Sequence, residues 1–168
     1  MSSSEPVRIS KSALLPYSDV QLFDLVNDIE SYPNFLNGCS RAKILNTENG
    51  IVEAKLWLNK RGIEQSFSTR NTLYPHNRVA MKLIEGPFQS LDGEWLIKSL
   101  NEETSSETKN HGCKLSLDLR FTTGASLVMR MAAPFFADIG NKLVDAVVAE
   151  AHRRFGSATA LELTTNHD

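Results

Sequence analysis

The sequence predicts an α+β fold, in which a curved antiparallel sheet of about seven strands wraps around one long C-terminal helix, with two short helices after the first strand. Three observations carry this reading. Between Ser40 and Thr122, runs of alternating apolar and polar residues are joined by turn formers at hairpin distance, and hairpin connections make neighbouring strands antiparallel. From Ser126 to Phe155 the pattern becomes helical, with Leu127, Met131, Phe135, Ile139, Leu143 and Val147 apolar and Val128, Ala132, Phe136, Val144 and Val148 beside them. A helix of that length spans about 45 Å and needs a sheet to cover its apolar side. A strongly twisted sheet of that size curls, so one helix gripped by one sheet is the packing expected.

The strands and helices follow in order. Val7 to Leu15 alternates as a first strand, stopped by Pro16. Ser18 or Asp19 then caps a helix bearing Leu22, Phe23, Val26 and Ile29. Glu30 to Cys39 holds a second short helix, with Pro33 in its first turn and Gly38 at its stop. Arg41–Leu45 and Ile51–Leu58 flank the turn Asn46 to Gly50, a strong hairpin signal. Val52, Ala54, Leu56 and Leu58 share one face of the returning arm, with Glu53, Lys55 and Trp57 on the other. Strands are expected at Ile63–Leu73, Arg78–Ile84 and Leu91–Leu100, then a hydrophilic loop from Asn101 to Gly112. The last strand alternates most cleanly, with Cys113, Leu115, Leu117, Leu119 and Phe121 on one face.

At 168 residues, 41% hydrophobic and 23% charged, the chain reads as one globular domain with a real core. Residues 1–6 are expected as a flexible lead-in, 7–155 as the domain and 156–168 as a loose tail. A net charge of −2 gives no wholesale nucleic-acid footprint and argues against DNA as a partner, while leaving room for a local basic patch. Cys39 and Cys113 lack CxxC spacing and read as reduced, partly buried thiols of a cytoplasmic protein. No apolar run approaches the ~18 residues of a membrane span, so any membrane contact is expected to be peripheral, at the inner face.

Three spaced segments carry a resemblance. They are LVNDIESYPNFLNGC (Leu25 to Cys39), FSTRN (Phe67 to Asn71) and GPFQSLDGEW (Gly86 to Trp95). Together, and over roughly Arg8 to Phe155, they resemble the coenzyme Q-binding and ribosome-association toxin family of the START-like superfamily, whose polyketide-cyclase label implies no reaction for this branch. Where that family's YPxFLPxC pattern has a proline, this chain has Asn37. The resemblance implies a helix-grip fold that holds an apolar ligand between sheet and helix. It implies ubiquinone or a related polyprenyl lipid as bound ligand in support of respiration, with no covalent cofactor and with transient membrane or respiratory-enzyme contact. For the toxin branch it implies binding to the large ribosomal subunit and a block on subunit joining.

Candidate ligand-binding residues follow from a cavity in such a fold. Leu127, Met131, Phe135, Ile139 and Leu143 are expected to form its helical wall, facing Leu115, Leu117, Leu119 and Phe121, with Phe35, Phe67 and Trp95 completing it. Each of these residue types serves more often as plain core. Pro134 either bends the helix, separating a short leading segment that forms a mouth with the Gly86-Pro87-Phe88 turn, or begins the main helix at its first turn. Asn71, if it faces inward with Phe67, Thr69 and Leu73, is a buried amide seeking a partner such as a quinone carbonyl. Arg70 then lies outside in a surface ion pair. Tyr32 to Leu36 reads as a lid on the sheet or as an apolar patch. For nucleic acid, the candidates are Lys55, Lys60 and Arg61, and Arg153 with Arg154. The four histidines fall in turns, tail or the last helical turn, and no metal or nucleophile motif occurs. The protein is expected to bind rather than to catalyse.

Overall fold

Strand β1 (Val7–Leu15) buries Ile9 and Leu15 and ends at Pro16. The computed structural model describes residues 6–100, 112–124 and 126–165, with the side chains of 128 and 157–165 outside the description. Helix α1 (Asp19–Asn27) starts at Ser18, whose hydroxyl accepts the Gln21 N–H while the Gln21 side chain accepts the Ser18 N–H. This reciprocal capping box decides between the two expected caps. A 3-10 turn (Ile29–Ser31) leads into α2 (Tyr32–Phe35), with Pro33 in its first turn. Gly38 then reverses the chain at φ +98°, close under Ile139.

Six strands follow: β2 (Cys39–Glu48), β3 (Ile51–Lys60), β4 (Ile63–Tyr74), β5 (Arg78–Glu85), β6 (Phe88–Ser99) and β7 (Cys113–Thr123). All pairings are antiparallel, in the order β1-β7-β6-β5-β4-β3-β2. The β2–β3 and β3–β4 hairpins turn on Asn49-Gly50 and Arg61-Gly62, with positive φ at all four residues, as such tight turns require. Strand β6 begins at Phe88, earlier than its alternation alone suggests, because a bulge near Phe88 to Ser90 shifts the register against β7.

Helix α3 (Leu127–Thr165) closes the concave face. The Ser126 hydroxyl accepts the Met129 N–H at its start. Pro134 lies inside one continuous helix, so it neither begins the main helix nor divides the element in two. The helix also continues past Phe155, where a loose tail was expected, as far as Thr165; residues 166–168 and the loop 101–111 lie outside the described residues.

The buried positions of α3 are Ala132, Phe136, Ile139, Gly140, Val144, Val147, Glu150 and Ala151, a stripe stepping by three and four residues. Leu127 and Met131, expected on the inner wall, are each 72% exposed. A strict four-residue spacing gains about 40° per step on a helix of 3.6 residues per turn. Counted back from Ile139, it carries Met131 and Leu127 round to the solvent side. At Gly140 a Cβ would overlap the end of the Ile9 side chain from β1, so the glycine leaves room for Ile9 against the helix backbone.

Two apolar clusters result. One joins α1, β1, β7 and the later half of α3 through Leu22, Leu25, Leu115, Leu117, Val144 and Val147. The other joins α2, β2, β3 and the earlier half of α3 through Tyr32, Leu36, Val52, Leu58, Phe136 and Ile139. Leu119 and Leu143 pack against both. Cys39 and Cys113 are free and buried, as expected, and burial pushes the Cys39 thiol up to about 11.

On β6, Gly93 faces Leu119 of β7, and an added Cβ would overlap the Leu119 side chain and stand 2.7 Å from the Asp118 carbonyl oxygen. Gly93→Ala is therefore expected to destabilise the fold by about 1–3 kcal/mol through overpacking. Urea unfolding checks this, with the midpoint lowered and the m-value unchanged.

Candidate functional site

The gap between the two clusters is a cavity of about 100 Å³. The first helical segment contributes Val26, Ile29 and Tyr32 to it, and α3 contributes Leu143. The sheet supplies Ala54, Leu56, Phe67, Thr69, Asn71, Val79, Met81, Leu91, Trp95 and Leu119. Alternation on β3 to β7 aims these side chains inward, the same alternation that sends Lys55, Arg70 and Glu94 outward.

Of the residues expected at a ligand, Phe67, Asn71, Trp95, Leu119 and Leu143 line the cavity. The others lie elsewhere. Leu117 is fully buried in the first cluster. Phe121 belongs to an aromatic chain in which Phe88 meets Phe67, Phe121 and Phe136 at ring separations of 5.3, 5.3 and 4.6 Å. Phe135 extends that chain against Phe136, Ile139 covers Gly38, and Phe35 packs beside Tyr32 with the Arg154 guanidinium over its ring. Leu127 and Met131 are on the solvent side and form no wall. The Gly86-Pro87-Phe88 turn, expected as a mouth, is held to α3 by the Phe88–Phe136 contact.

Most of the wall was missing from the sequence reading. Met81, Val79 and Leu91 were findable from the alternation of β5 and β6. Val26, Ile29 and Tyr32 were not, because only the tertiary packing turns this helical segment over the cavity. Tyr32 is the lid residue: it is buried, and its hydroxyl donates to the Val26 carbonyl oxygen at 2.5 Å. Burial raises its pKa well above the ordinary tyrosine value.

Asn71 is the polar feature of the cavity. It is 5% exposed, and its side-chain oxygen accepts the Thr69 hydroxyl at 2.8 Å. Thr69 and Asn71 are thus one hydrogen-bonded polar pair in a mostly apolar wall. Arg70 points outward and donates to Glu53 at 3.0 Å, the surface ion pair expected for it.

The candidate basic clusters separate in space. Lys60 faces α3 and pairs with Asp138, which it and Lys142 hold below the usual carboxylate range. Lys55 faces the opposite side of the sheet. Arg153 and Arg154 both donate to Glu150, and Arg154 also pairs with Asp28 at the end of α1. Arg154 is thus a latch between helices, while Arg153 stays on its own helix and pairs with Glu150. Among the described histidines, His152 meets the Tyr17 hydroxyl at 2.6 Å and His76 packs against Phe23. His111 and His167 lie outside the described residues. Among the described residues no group of three or more metal-ligating side chains occurs, and no helix is long and apolar enough to cross a membrane.

The latch makes a pH prediction. Hydrogen bonds, first from Arg153 and then from Arg154, hold the Glu150 carboxyl down at about 2 against the opposing effect of burial, below its ordinary 4.5. A depressed carboxylate contributes stability that is fully present above about 4.5 and is lost as pH falls through about 2. Urea midpoints measured from pH 7 to pH 2.5 should therefore fall more steeply for the wild type than for Glu150→Gln, which lacks the titrating group.

Comparison with known proteins fits this architecture. The model of the family described as polyketide cyclase / dehydrase and lipid transport matches residues 15–148. The ribosome association toxin RatA of Pseudomonas aeruginosa is 39% identical over 148 residues, covering 88% of this chain and 97% of that protein. The mitochondrial coenzyme Q-binding protein COQ10 homolog B of Xenopus laevis is 23% identical over 154 residues, 91% of this chain and 61% of that one. Among solved structures, an aromatase/cyclase from Streptomyces sp. R1128 superposes with a TM-score of 0.74 at 17% identity, covering 89% of this chain and 96% of its own. With a seven-stranded sheet gripping one helix and a family model spanning most of its length, the chain belongs to the polyketide cyclase/dehydrase and lipid-transport family, among its RatA-like members.

Proposed function

We propose that this protein is a ribosome-binding inhibitor of translation that acts in the cytoplasm. The observation that carries the reading is its 39% identity to a ribosome association toxin over 97% of that protein's length. Binding rather than turnover is supported by the cavity itself. Its lining holds no His, Asp, Glu, Lys or Cys, and its one titratable group, Tyr32, has its hydroxyl committed to the backbone, so the wall offers no general acid or base at neutral pH. Co-sedimentation of the full chain with isolated large ribosomal subunits tests the proposal. Pelleting at low salt that weakens steeply as salt rises is expected for a contact made through phosphates. Absence of pelleting even at low salt overturns it.

A second reading, carriage of ubiquinone or a similar prenyl lipid, is favoured by the Asn71 amide facing the apolar cavity and by the similarity to a coenzyme Q-binding protein. The cavity of about 100 Å³ is well below the ~300 Å³ at which ligand pockets begin. A prenylated quinone therefore requires the Phe67, Met81 and Leu143 side chains to give way. If a quinone carbonyl does accept from Asn71, Asn71→Leu should weaken binding of a short-chain ubiquinone by about 1–3 kcal/mol, or roughly 5- to 150-fold in Kd. No saturable binding to the wild type excludes the carrier reading.

A further inference from the structure

Like charges stand directly opposite one another at several places on the outer face of the sheet, Arg8 with Arg120 and Lys98 with Lys114 among them, and at one such place an aromatic ring lies beside the cations. On β2 and β3, Lys43 stands directly opposite Lys55, and the next outward pair is Arg41 with Trp57. Like charges directly opposed across two strands destabilise the pair. No carboxylate among the described residues forms an ion pair with Arg41, Lys43 or Lys55, whereas most other cations of the structure have one. The nearby acids are engaged elsewhere: Glu53 accepts from Arg70, Glu85 from Ser68, and Glu30 from the Ile44 N–H. Lysine on an edge strand deters pairing with another chain, which would explain Lys43 on β2 by itself. It does not explain Lys55 and Trp57 on β3, which is paired on both sides.

Trp57 is a half-exposed indole on the convex side of the sheet. The Arg41 guanidinium lies 4.6 Å from its ring centroid and the Lys55 ammonium 5.0 Å. Two cations at one flat aromatic, with Lys43 opposite Lys55 beside them, held on rigid strands in a chain of net charge −2, match the two needs of unpaired RNA, which are cations for phosphates and a π-face on which a base stacks. We propose that this β2–β3 face, centred on Arg41, Lys43, Lys55 and Trp57, is a binding surface for single-stranded or looped RNA. This rests on the ribosome-binding reading above and names ribosomal RNA as the component touched.

The test uses the full chain with two probes, isolated large ribosomal subunits and a short unstructured RNA oligonucleotide. The variant Arg41→Gln/Lys43→Gln/Lys55→Gln removes the face, and removing an opposed like-charge pair should not cost stability. The matched control, Lys98→Gln/Lys114→Gln/Arg120→Gln, removes equal charge from the far side of the same face. The face variant should bind subunits about 100-fold more weakly at low salt, and its slope of log affinity against log salt should be shallower by about 2. The control should match the wild type. RNA should quench Trp57 fluorescence in the wild type while leaving the Trp57→Phe variant, whose remaining Trp95 is 2% exposed, unchanged. Equal pelleting of face variant and control overturns the surface and leaves ribosome binding standing. Loss of pelleting in the face variant without quenching by RNA overturns RNA as the partner and points to a ribosomal protein. If the wild type fails to pellet yet shows face-dependent quenching, the ribosome reading falls and the RNA surface stands. Failure with both probes overturns both.

Discussion

One helix must cover the concave side of seven strands, and the close seat of α3 on β1 at Gly140 sets how it does so. With no side chain on the helix at that point, the Ile9 side chain reaches the helix backbone and α3 packs close to β1. The helix then packs at both ends, through Phe136 and Ile139 on one side and Val144 and Val147 on the other. Between these contacts the curvature of β3 to β6 carries the sheet away from the helix. The cavity is what remains, and Leu119 and Leu143 border it because they lie where the clusters meet. Its position is a consequence of the packing geometry rather than of any single lining residue.

The same geometry separates the molecule into two faces with different chemistry. Inside, α1 and α2 close the grip through Tyr32, and the aromatic chain from Phe67 to Phe136 closes the side opposite. What is left is small, apolar and supplied with one polar pair, Thr69 and Asn71. Outside, the sheet shows a checkerboard of charges in which Arg8 pairs with Asp118, Arg70 with Glu53 and Arg78 with Glu94. The face at Arg41, Lys43 and Lys55 combines cations that have no ion pair among the described residues with an indole, Trp57, that two of them approach. A binding function is thus open to both faces of one sheet. The inner one suits a compact apolar group, and the outer one suits an anionic, stackable polymer.

Charged residues at the helix end show how neighbouring cations can have unrelated roles. Arg153 and Arg154 look like a patch in the sequence, yet Glu150 lies beneath them, 5% exposed, and Asp28 takes the second contact of Arg154. Arg154 alone links α3 to the end of α1, while Arg153 stays on α3. Lys60 is likewise spent on Asp138. Lys55, five residues away on the same strand, has the opposite side-chain direction and no acidic partner.

The strand alternation, the turn glycines, the caps and the helical period were all legible in the sequence, because each depends on neighbours within a few residues. They sufficed for seven strands and three helices, and for placing Phe67 and Asn71 on one face of their strand and Arg70 on the other, though not for which of the two faces looks inward. The phase of the long helix was not legible. An error of about 40° per four-residue step leaves any short window looking amphipathic while rotating Leu127 and Met131 out to solvent. Which strands adjoin was also beyond local pattern, since β1 pairs with β7 across more than a hundred residues. With that pairing came the depth of the cavity and the placing of Tyr32 over it, while the exact register of the β2–β3 hairpin, shifted by bulges, decided that Arg41 and Lys43 meet Trp57 and Lys55. Periodicity assigns a side chain to a face of its own element, but only the register between elements decides what that face meets.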